Sequence, residues 1–386
     1  MTPRERVLTT YAHEEPDRVP RWCGASPEFL AKAQRELGIG STEAAWPRQT
    51  VSTDAASPPQ QAAAFPACSA RGTEELMVRF GDDFRRVHAR YVGPEVPLSP
   101  GATTRTVFGI ERHGLGYGQP MGHPLAGATL REVHEYPWPD PDWMDVSGIR
   151  EDALAWGGHY AILGGDWSPY WHDAIDLLGM EGLLFAMADQ PALVDAVLGH
   201  VVDYYHEVSR RIFEAAGDEI DIFFVGNDFG SQLGPLVGPQ QFERFLLPHL
   251  RRLIELGHAY GLKVQLHCCG GVAPLLPLLV EAGLDGLHAV QPACRGMDLA
   301  QLKAQYGHVL VFNGAIDSQR VLIEGTPELV RERTREVLAI MAPGGGYIAG
   351  ASHDYILEET PVANVVAMFD AVEEFGMYPL APLRTA

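Results

Sequence analysis

The sequence predicts an α/β protein built as a (β/α)8 TIM barrel with an N-terminal elaboration. From His159 onward, short apolar runs of strand length alternate with amphipathic segments of helical length. Because each helix carries the chain back to the start of the next strand, this alternation predicts a parallel sheet. Six such units, with one or two more expected before Gly158, favour a closed barrel over an open doubly wound sheet. No GxGxxG or GxxxxGK(S/T) motif follows an apolar run, so the usual sign of a nucleotide-binding sheet is missing.

The regular part of the chain supplies most of the predicted strands and helices. The predicted strands are Tyr160–Leu163, Ile220–Val225, Val264–Leu266, Gly286–Val290, Val309–Phe312 and Tyr347–Ala349. The predicted helices are Ala192–Glu214, Pro239–His258, Ala273–Val280, Met297–Tyr306 and Pro327–Met341.

The chain begins with a predicted helix and a candidate first strand. Thr2–His13 has the apolar spacing of an amphipathic helix, and Val19–Cys23 follows a Pro-Asp turn with the composition of a short strand. The predicted apolar face of the helix carries Val7, Leu8 and Tyr11, and its polar face carries Arg4, Glu5 and Arg6.

The rest of the first 140 residues predicts additions to the barrel. Thr50–Thr73 is rich in Ala, Pro, Ser and Gln, which predicts a mobile loop. Phe84–Tyr91 and Thr103–Arg112 alternate like the strands of a hairpin layer. Three prolines in Tyr136–Pro141 exclude a helix or a central strand there, so this stretch is the predicted junction. We therefore expect a single domain over residues 1–386, with an N-terminal part at 1–140 and the main repeats at 141–386.

The composition is typical of a soluble enzyme with a strong acidic balance. The chain has 386 residues, of which 46% are hydrophobic and 20% charged. Its 29 Lys and Arg against 50 Asp and Glu give a net charge of −21, which argues against nucleic acid or an anionic membrane as a partner. Five cysteines, an odd number, argue against a disulfide framework. Met1–Thr10 has no signal-peptide pattern and no apolar run reaches 18 residues, so a cytoplasmic location is expected.

Polar side chains follow six of the predicted strands at or just after the point where each strand ends. In a barrel these ends meet at one mouth, where active sites lie. Any one of these groups by itself is more typical of a helix cap or a turn, but six strands with the same pattern predict a site. The groups are Asp166-Trp167, Asn227-Asp228, His267-Cys268-Cys269, Gln291, Asn313 with Asp317, and Ser352-His353-Asp354.

His267 and Cys269 are candidate zinc ligands. They follow the predicted strand Val264–Leu266, and an imidazole nitrogen and a thiolate sulfur are common ligands of zinc. Because alternate residues at a strand end point to opposite sides, His267 and Cys269 share a face while Cys268 points away. A buried His-Cys pair that only packs is the alternative from these residues alone.

Further residues are candidates for binding substrate or for orienting a ligand. Trp167, Tyr170 and His172 are predicted near the mouth, with a purely structural aromatic cluster as an equal alternative. Asp228 and Asp354 are candidates for orienting a ligand imidazole, and a solvated loop residue is the equal alternative for Asp354. The remaining substrate-binding candidates are Asn227, Gln291, Asn313 and Asp317.

Together these segments resemble the uroporphyrinogen decarboxylase superfamily over nearly the whole chain. The order and number of the matching pieces are specific, although no single piece is. The resemblance implies a (β/α)8 barrel with its site at the carboxyl-terminal mouth. The pieces are Asp17–Pro20, Asn227–Gln232, Pro239 with Phe242, Phe245 and Pro248, His267–Gly270, Gly283–Asp285, Gln291, Gly314–Asp317, Gly345–Ile348, Ser352-His353, and Pro361 with Asn364.

The superfamily resembled here holds two chemistries. Its metal-free porphyrin decarboxylases carry an Arg-Gln-Ala-Gly-Arg-Tyr run near the start, whereas this chain has Arg21–Ala25 there and lacks that run. Its zinc methyltransferases carry His-X-Cys at one strand end and a third ligand, commonly Cys, at the last one. The resemblance to that branch implies Zn²⁺ held by His267, Cys269 and His353, with His353 standing where a cysteine is common. A histidine near this position also occurs in the decarboxylases, so His353 alone does not separate the branches.

The resemblance therefore implies a zinc-dependent methyltransferase that moves a methyl group between a corrinoid, supplied by a partner protein, and a small acceptor such as a thiol. One thiolate and two imidazoles would leave the zinc site positive and make a bound thiolate a weaker nucleophile, which leaves room for another substrate. The alternative is a metal-free decarboxylase that uses Asp228 and His353 as acid–base groups on a non-standard substrate. A non-catalytic binding barrel is disfavoured by the clustered donors. The sequence leaves a homodimer open.

Overall fold

A parallel sheet wound into a barrel organises the chain. The computed structural model describes residues 1–39, 70–114 and 118–380. Within these ranges seven strands lie side by side in chain order, and each pair of neighbours is parallel. The strands are β1 (Phe84–Arg86), β2 (Ala161–Gly164), β3 (Ile222–Gly226), β4 (Lys263–His267), β5 (Gly286–Val290), β6 (Val311–Ile316) and β7 (Tyr347–Ala351).

An extended segment at residues 20–23 supplies the eighth position and closes the barrel. On one side, the Trp22 amide donates to the carbonyl of Ala349 in β7 at 2.9 Å. On the other side, the amide of Asp83, which precedes β1, donates to the Arg21 carbonyl at 3.1 Å. The predicted first strand therefore lies between the two edge strands of the sheet. The (β/α)8 TIM-barrel fold is confirmed.

Helices cover the outside of the barrel and link its strands. The α-helices are Pro3–Tyr11, Pro27–Leu37, Ala70–Phe80, Leu130–Glu135, Ile149–Trp156, Tyr170–Leu178, Met180–Asp189, Pro191–Ala216, Pro239–Gln241, Leu247–Ala259, Leu276–Glu281, Leu299–Tyr306, Pro327–Met341 and Val362–Phe375. Short 3₁₀ turns are Pro141–Trp143, Gly217–Glu219 and Ala273–Leu275, and π-helical turns are Phe242–Leu246 and Ser318–Ile323. No helix in the described ranges is long and apolar enough to cross a membrane.

The helix predicted at Pro239–His258 forms, but a π-helical turn interrupts it at Phe242–Leu246. Pro248 explains the interruption. Proline has no amide hydrogen, and its ring collides with the carbonyl four residues earlier, so the preceding turn widens.

The inside of the barrel is packed with side chains, and the N-terminal helix Pro3–Tyr11 plugs one end. Tyr11 is 3% exposed and its hydroxyl donates to Gln265 Oε1 at 2.8 Å. Such a filled interior is normal for this fold, so chemistry is confined to the mouth. The apolar residues of this inner core are Val7, Tyr11, Trp22, Phe84, Ala161, Leu163, Trp167, Ile222, Phe224, Val311 and Ile348.

One face of the N-terminal helix differs from the prediction. Arg6 is buried, whereas Leu8 is only partly buried. The Arg6 guanidinium is bonded to Asp17 Oδ1 at 2.7 Å and to Asp83 Oδ1 at 2.6 Å. A buried cation is stable when carboxylates pair with it, and apolar spacing along one helix carries no information about partners far away in sequence.

The predicted hairpin layer is partly wrong. Phe84–Arg86 is barrel strand β1, which pairs in parallel with β2. Its alternation therefore reflects one side facing the barrel interior, not the inside of a hairpin. A small three-stranded antiparallel sheet does form nearby. Its strands are Thr104–Arg105, Glu111–His113 and Gln119–Pro120, and Arg90–Tyr91 pairs instead with Met144–Asp145.

The predicted loop Thr50–Thr73 lies mostly outside the described residues. Its last four residues begin the helix Ala70–Phe80, so the prediction was wrong for that end. In the predicted junction Tyr136–Pro141, residues 136–140 are neither helix nor strand, as the prolines predicted, and Pro141 begins the 3₁₀ turn Pro141–Trp143.

Candidate active site

The end of β4 presents two soft donors on the same side of the chain. His267 is the last residue of β4 and is 5% exposed, and Cys269 follows it in the turn. The Sγ atom of Cys269 lies 3.5 Å from His267 Nε2. Gly270 allows this turn because its φ is 94°, and a Cβ there would lie 2.5 Å from the carbonyl carbon of Gly230. The two side chains therefore meet at the mouth of the barrel.

Asp228, two residues after the end of β3, completes a group of three donors. Its Oδ1 lies 3.3 Å from His267 Nε2 and accepts the amide hydrogen of Cys269 at 2.7 Å. The donor atoms of Asp228, His267 and Cys269 all lie within 4.8 Å of one another. Although burial opposes ionisation, the hydrogen bond from His267 lowers the pKa of Asp228 well below its usual range. The carboxylate is therefore charged at neutral pH.

Cys268 takes no part in this group. Its Sγ accepts the amide hydrogen of Phe229 at 3.2 Å, and the residue is 1% exposed. Burial raises the pKa of the Cys268 thiol, so it stays protonated. His267 and Cys269 thus share one side while Cys268 faces the packed interior.

His288 is a central residue that the sequence analysis missed. It lies in the middle of β5, directly beside His267 in the sheet register, and is fully buried. Its Nδ1 is 3.1 Å from His267 Nδ1, and its Nε2 has no hydrogen-bond partner among the described residues. Burial lowers the pKa of His288 well below its usual range, so the ring is neutral. The available signal was a lone histidine inside an otherwise apolar strand.

Of the two candidate residues after β7, Asp354 joins a group of possible metal ligands and His353 does not. Asp354 is 7% exposed, and it forms a second group of possible metal ligands with His267 and His288. A solvated loop position for Asp354 is thereby excluded. Among the residues that the structure describes, His353 belongs to neither group. Its Nδ1 lies 3.2 Å from the amide of Tyr355, which donates to it, so the ring is tied to its own loop.

The aromatic candidates after β2 divide into one at the site and one in the core. Trp167 is 7% exposed, and its ring centroid lies 5.3 Å from that of His267. Gly226 makes room for it, because a Cβ there would lie 1.9 Å from the indole. Tyr170 is fully buried, and its hydroxyl donates to the Leu246 carbonyl at 3.0 Å. The position of Tyr170 is therefore that of a packing residue.

His172 reaches the site through the backbone of Asp228. Its Nε2 accepts the Asp228 amide hydrogen at 2.9 Å, while its side chain is 42% exposed. Asn227, the residue before Asp228, is fully buried. The Asn227 side chain accepts from the Trp171 amide at 2.9 Å and donates to the Ser168 carbonyl at 3.0 Å. Asn227 thus fixes the loop after β2 against the end of β3.

Two further candidates connect or cap segments around the mouth. Gln291 Oε1 accepts the Gly270 amide hydrogen at 3.0 Å, and its Nε2 donates to the Ser352 carbonyl at 2.9 Å. Asp317 accepts two amide hydrogens at the start of the turn Ser318–Ile323. Substrate contact by either residue stays a prediction.

Asn313 lies deeper than predicted. We expected it just after a strand, but β6 includes Asn313 and continues through Gly314 and Ala315 to Ile316. Asn313 therefore sits inside the barrel, in register with His288, and donates to Gln265 Oε1 at 3.3 Å.

A cation, Arg86 at the end of β1, and a carboxylate, Asp166 two residues after β2, lie next to each other near Trp167. The guanidinium carbon of Arg86 lies 5.2 Å from the Trp167 ring centroid and 5.1 Å from that of Phe224. Burial raises the pKa of Asp166 to about 6, and the charge of Arg86 opposes that rise. Burial also lowers the pKa of His88 to about 3, and Arg86 adds to the effect. These three groups were not part of the predicted ligand set.

The chain is similar to both decarboxylases and methyltransferases. A uroporphyrinogen decarboxylase from Mannheimia succiniciproducens is 23% identical over 279 residues, which are 68% of this chain and 73% of that protein. A methylated-thiol–coenzyme M methyltransferase from Methanosarcina mazei is 24% identical over 288 residues, which are 68% of this chain and 72% of that protein. A methylcobamide:CoM methyltransferase from Methanosarcina acetivorans is 22% identical over 187 residues, and the chain spans only 50% of its length.

A solved structure and a family model extend the comparison. A methyltransferase from Methanosarcina mazei superposes with a TM-score of 0.64 at 20% identity, covering 97% of this chain and 99% of its own. At that identity the match shows the fold alone. Residues 156–375, more than half of the chain, match the family model described as uroporphyrinogen decarboxylase (URO-D). The chain therefore belongs to the URO-D family, a family of enzymes.

Proposed function

We propose that this protein is a zinc-dependent methyltransferase that moves a methyl group between a corrinoid and a small thiol. The observation that carries the proposal is that the possible ligand atoms of His267, Cys269 and Asp228 lie close together at the ends of β3 and β4. A nitrogen, a sulfur and a carboxylate oxygen are the three donor types that zinc accepts in proteins. Three protein ligands leave the fourth position open, which is the pattern of catalytic rather than structural zinc.

The donor set fits zinc and also fits thiol chemistry. Asp228 takes the third place that the resemblance gave to His353, and it carries a negative charge. One thiolate and one carboxylate balance the two positive charges of Zn²⁺, so this site is neutral where a His353 site would be positive. When bound, zinc lowers the pKa of a thiol at its open position, so that the thiol is deprotonated and nucleophilic.

The protein's own residues hold the donors in position. His288 fixes the orientation of His267 through their 3.1 Å contact. Trp167 packs against the His267 ring, with a centroid distance of 5.3 Å, and against Gly226 of β3. Asp228 is held by the Cys269 amide, which keeps the three donors in one place without metal. Such prior positioning reduces the reorganisation needed when ligands bind.

The methyl donor in this proposal is a corrinoid carried by a partner protein. Relatives described as methylcobamide:CoM and methylated-thiol–coenzyme M methyltransferases support it. A uroporphyrinogen decarboxylase at similar identity shows that relatives alone do not decide the reaction.

A metal-free decarboxylase is the second candidate, and one observation favours it. The ionised Asp228 lies beside one imidazole that can exchange a proton with it, with His267 Nε2 at 3.3 Å from Oδ1, while His172 Nε2 accepts the Asp228 amide hydrogen. A carboxylate held next to an imidazole is an arrangement that can transfer protons.

Metal analysis combined with a methyl-transfer assay separates the two candidates. The full chain is purified with zinc available, its zinc content is measured, and methylcobalamin is incubated with a thiol while the corrinoid spectrum is followed. We expect about one zinc per chain, demethylation of the corrinoid, and loss of both after chelation with recovery on adding zinc. A zinc-free preparation that decarboxylates a carboxylated substrate would establish the second candidate instead.

A further inference from the structure

We propose that the amino-terminal end of the barrel holds a second binding site, which takes a phosphate group on His13, Lys303 and His308. The phosphate is either the free ion or part of a small phosphate monoester. This site lies at the opposite end of the barrel from the candidate active site, so it does not depend on the proposed function.

The three side chains line a cavity of about 290 Å³. His13 comes shortly after the helix Pro3–Tyr11, which plugs the barrel, and His308 comes just before β6. Because the barrel strands are parallel, the start of β6 lies at the end opposite to His267, the last residue of β4. Ligand pockets begin at about 300 Å³, so the cavity suits a small ligand rather than a large cofactor.

His13 faces this cavity from a strained turn. Its φ is 57°, in the left-handed region that residues other than glycine seldom adopt. Its Nδ1 lies 3.1 Å from the Gly307 carbonyl oxygen. Since a carbonyl oxygen only accepts, Nδ1 carries a hydrogen and donates it. The other ring nitrogen, Nε2, is therefore the one that can bond to a ligand, and it donates to an oxyanion once the ring is protonated.

Lys303 contributes an ammonium that the backbone holds in place. Its Nζ donates to the Gly345 carbonyl at 2.5 Å, and an ammonium has two further N–H donors to offer. Burial lowers the pKa of Lys303 to about 8, while the charge of Glu15 opposes that fall. Glu15 is itself held by the Gly344 amide, which donates to its Oε1 at 2.8 Å. The lowered pKa means that the ammonium is less stable here than in water, and a bound anion would supply the missing stabilisation.

Positive charges gather around this cavity although the chain as a whole carries −21. Burial lowers the pKa of His13, and the charges of Lys303, Lys263 and His308 lower it further. Lys263 is paired with Asp285 at 2.9 Å, whereas Lys303 and His308 line the cavity itself. Cations that disfavour one another's charge in this way favour an anion between them.

The arrangement of the donors favours a phosphate over a carboxylate. A planar carboxylate matches the two parallel N–H groups of an arginine, while lysine binds phosphate as a point charge. Here the donors are one ammonium and two separate imidazoles. They come from the segment after the N-terminal helix, from the helix Leu299–Tyr306 and from the turn that follows it. Donors from different directions suit the tetrahedral oxygens of a phosphate group.

Calorimetry on the full chain tests the site directly. Inorganic phosphate and glycerol phosphate are titrated separately, with chloride keeping the ionic strength constant. We expect saturable binding of at least one of them, unchanged after zinc is removed by chelation. The tighter of the two tells whether the site takes the free ion or an ester. Absence of binding by both would overturn the proposal, and so would loss of binding on chelation, which would place the phosphate on a metal.

Lysine variants show whether the cavity is the binding site. Lys303→Met should weaken phosphate binding about tenfold to a hundredfold, the range that a charged hydrogen-bonded pair supports, and Lys303→Arg should keep part of it. Lys32→Met is the matched control, because Lys32 is also half-buried and donates to the backbone carbonyls of Glu358 and Thr360. It should bind phosphate like the unchanged protein. Unchanged binding in Lys303→Met, or an equal loss in Lys32→Met, refutes the site.

Histidine variants test the imidazoles without touching the lysine. Asparagine tolerates the left-handed region, so His13→Asn keeps the turn while removing the ring. His13→Asn and His308→Ala should each weaken phosphate binding about twofold to tenfold, the effect of losing one hydrogen bond. Melting temperatures measured without phosphate show that each variant is folded. Folded variants that both bind phosphate as tightly as the unchanged protein would contradict the proposal.

Discussion

His288 Nδ1 lies 3.1 Å from His267 Nδ1, so one of the two nitrogens must donate a hydrogen to the other. His267 directs its other nitrogen, Nε2, toward Asp228 and Cys269. As a zinc ligand through Nε2, His267 must therefore carry its hydrogen on Nδ1 and donate it to His288. His288 then keeps its own hydrogen on Nε2. This assignment gives His288 a defined role, which is to hold the ligand in the tautomer that binds metal.

We expect His288→Ala to lower the affinity for zinc about tenfold to a hundredfold, the usual effect of removing a residue that orients a ligand. Competition with a chelator of known affinity measures it, and circular dichroism checks that the variant folds. His308→Ala, at an exposed position, is the control. A folded His288→Ala protein with unchanged zinc affinity would remove His288 from the site.

Cys269→Ser should reduce the zinc content far more than Cys268→Ser. Cys269 Sγ faces His267, whereas Cys268 Sγ accepts the Phe229 amide hydrogen in the interior. Elemental analysis of the two purified variants, with their melting temperatures, gives the comparison. Cys268→Ser is expected to lose stability but to keep its metal. Equal metal losses would mean that the register at the end of β4 differs from the one described.

Asp228→Asn and His353→Ala together identify the third ligand. We expect Asp228→Asn to lose most of its zinc, because two protein ligands seldom hold the ion. We expect His353→Ala to keep it, since the His353 ring is tied to the Tyr355 backbone. Zinc loss in His353→Ala alone would restore the ligand set that the family resemblance implied. Loss of turnover with zinc retained in His353→Ala would point to an acid–base role for that residue.

Ionisation of Asp173 should lower the free energy of unfolding as the pH rises from about 4 to about 7. Burial raises the pKa of Asp173 to about 7, although the Tyr205 hydroxyl donates to it at 2.5 Å. A carboxyl whose pKa is raised on folding binds more protons in the folded state, so stability falls between the unfolded value near 3.8 and the folded value near 7. Asp173→Asn removes this ionisation and keeps an oxygen that accepts from Tyr205.

Urea unfolding at several pH values measures the effect. The stability of Asp173→Asn relative to the unchanged protein should rise with pH by an amount on the order of 2–4 kcal/mol between pH 4 and pH 8. Asp189→Asn, at an exposed helix end, is the control and should show no such trend. A pH-independent difference for Asp173→Asn would show that Asp173 ionises normally in the folded protein.

Local sequence information determined the fold and two of the three residues of the donor group. The strand–helix alternation after His159 predicted the barrel. It could be recognised because burial and hydrophobic periodicity are properties of short segments. The pair His267 and Cys269 was predicted because both residues lie at one strand end, where side chains two residues apart point to the same side.

Only the tertiary structure decided which distant residues join that pair. His288 lies 21 positions after His267, and Asp228 lies 39 positions before it, so no local period relates them to it. The barrel brings them together because neighbouring parallel strands align His267 with His288 and place Asp228 just beyond the end of β3. Arg86 has the same explanation. Its alternating neighbours suggested a hairpin, but closure of the sheet turned its side chain into the mouth. Strand register and barrel closure depend on contacts far apart in sequence, and these contacts set the final composition of the site.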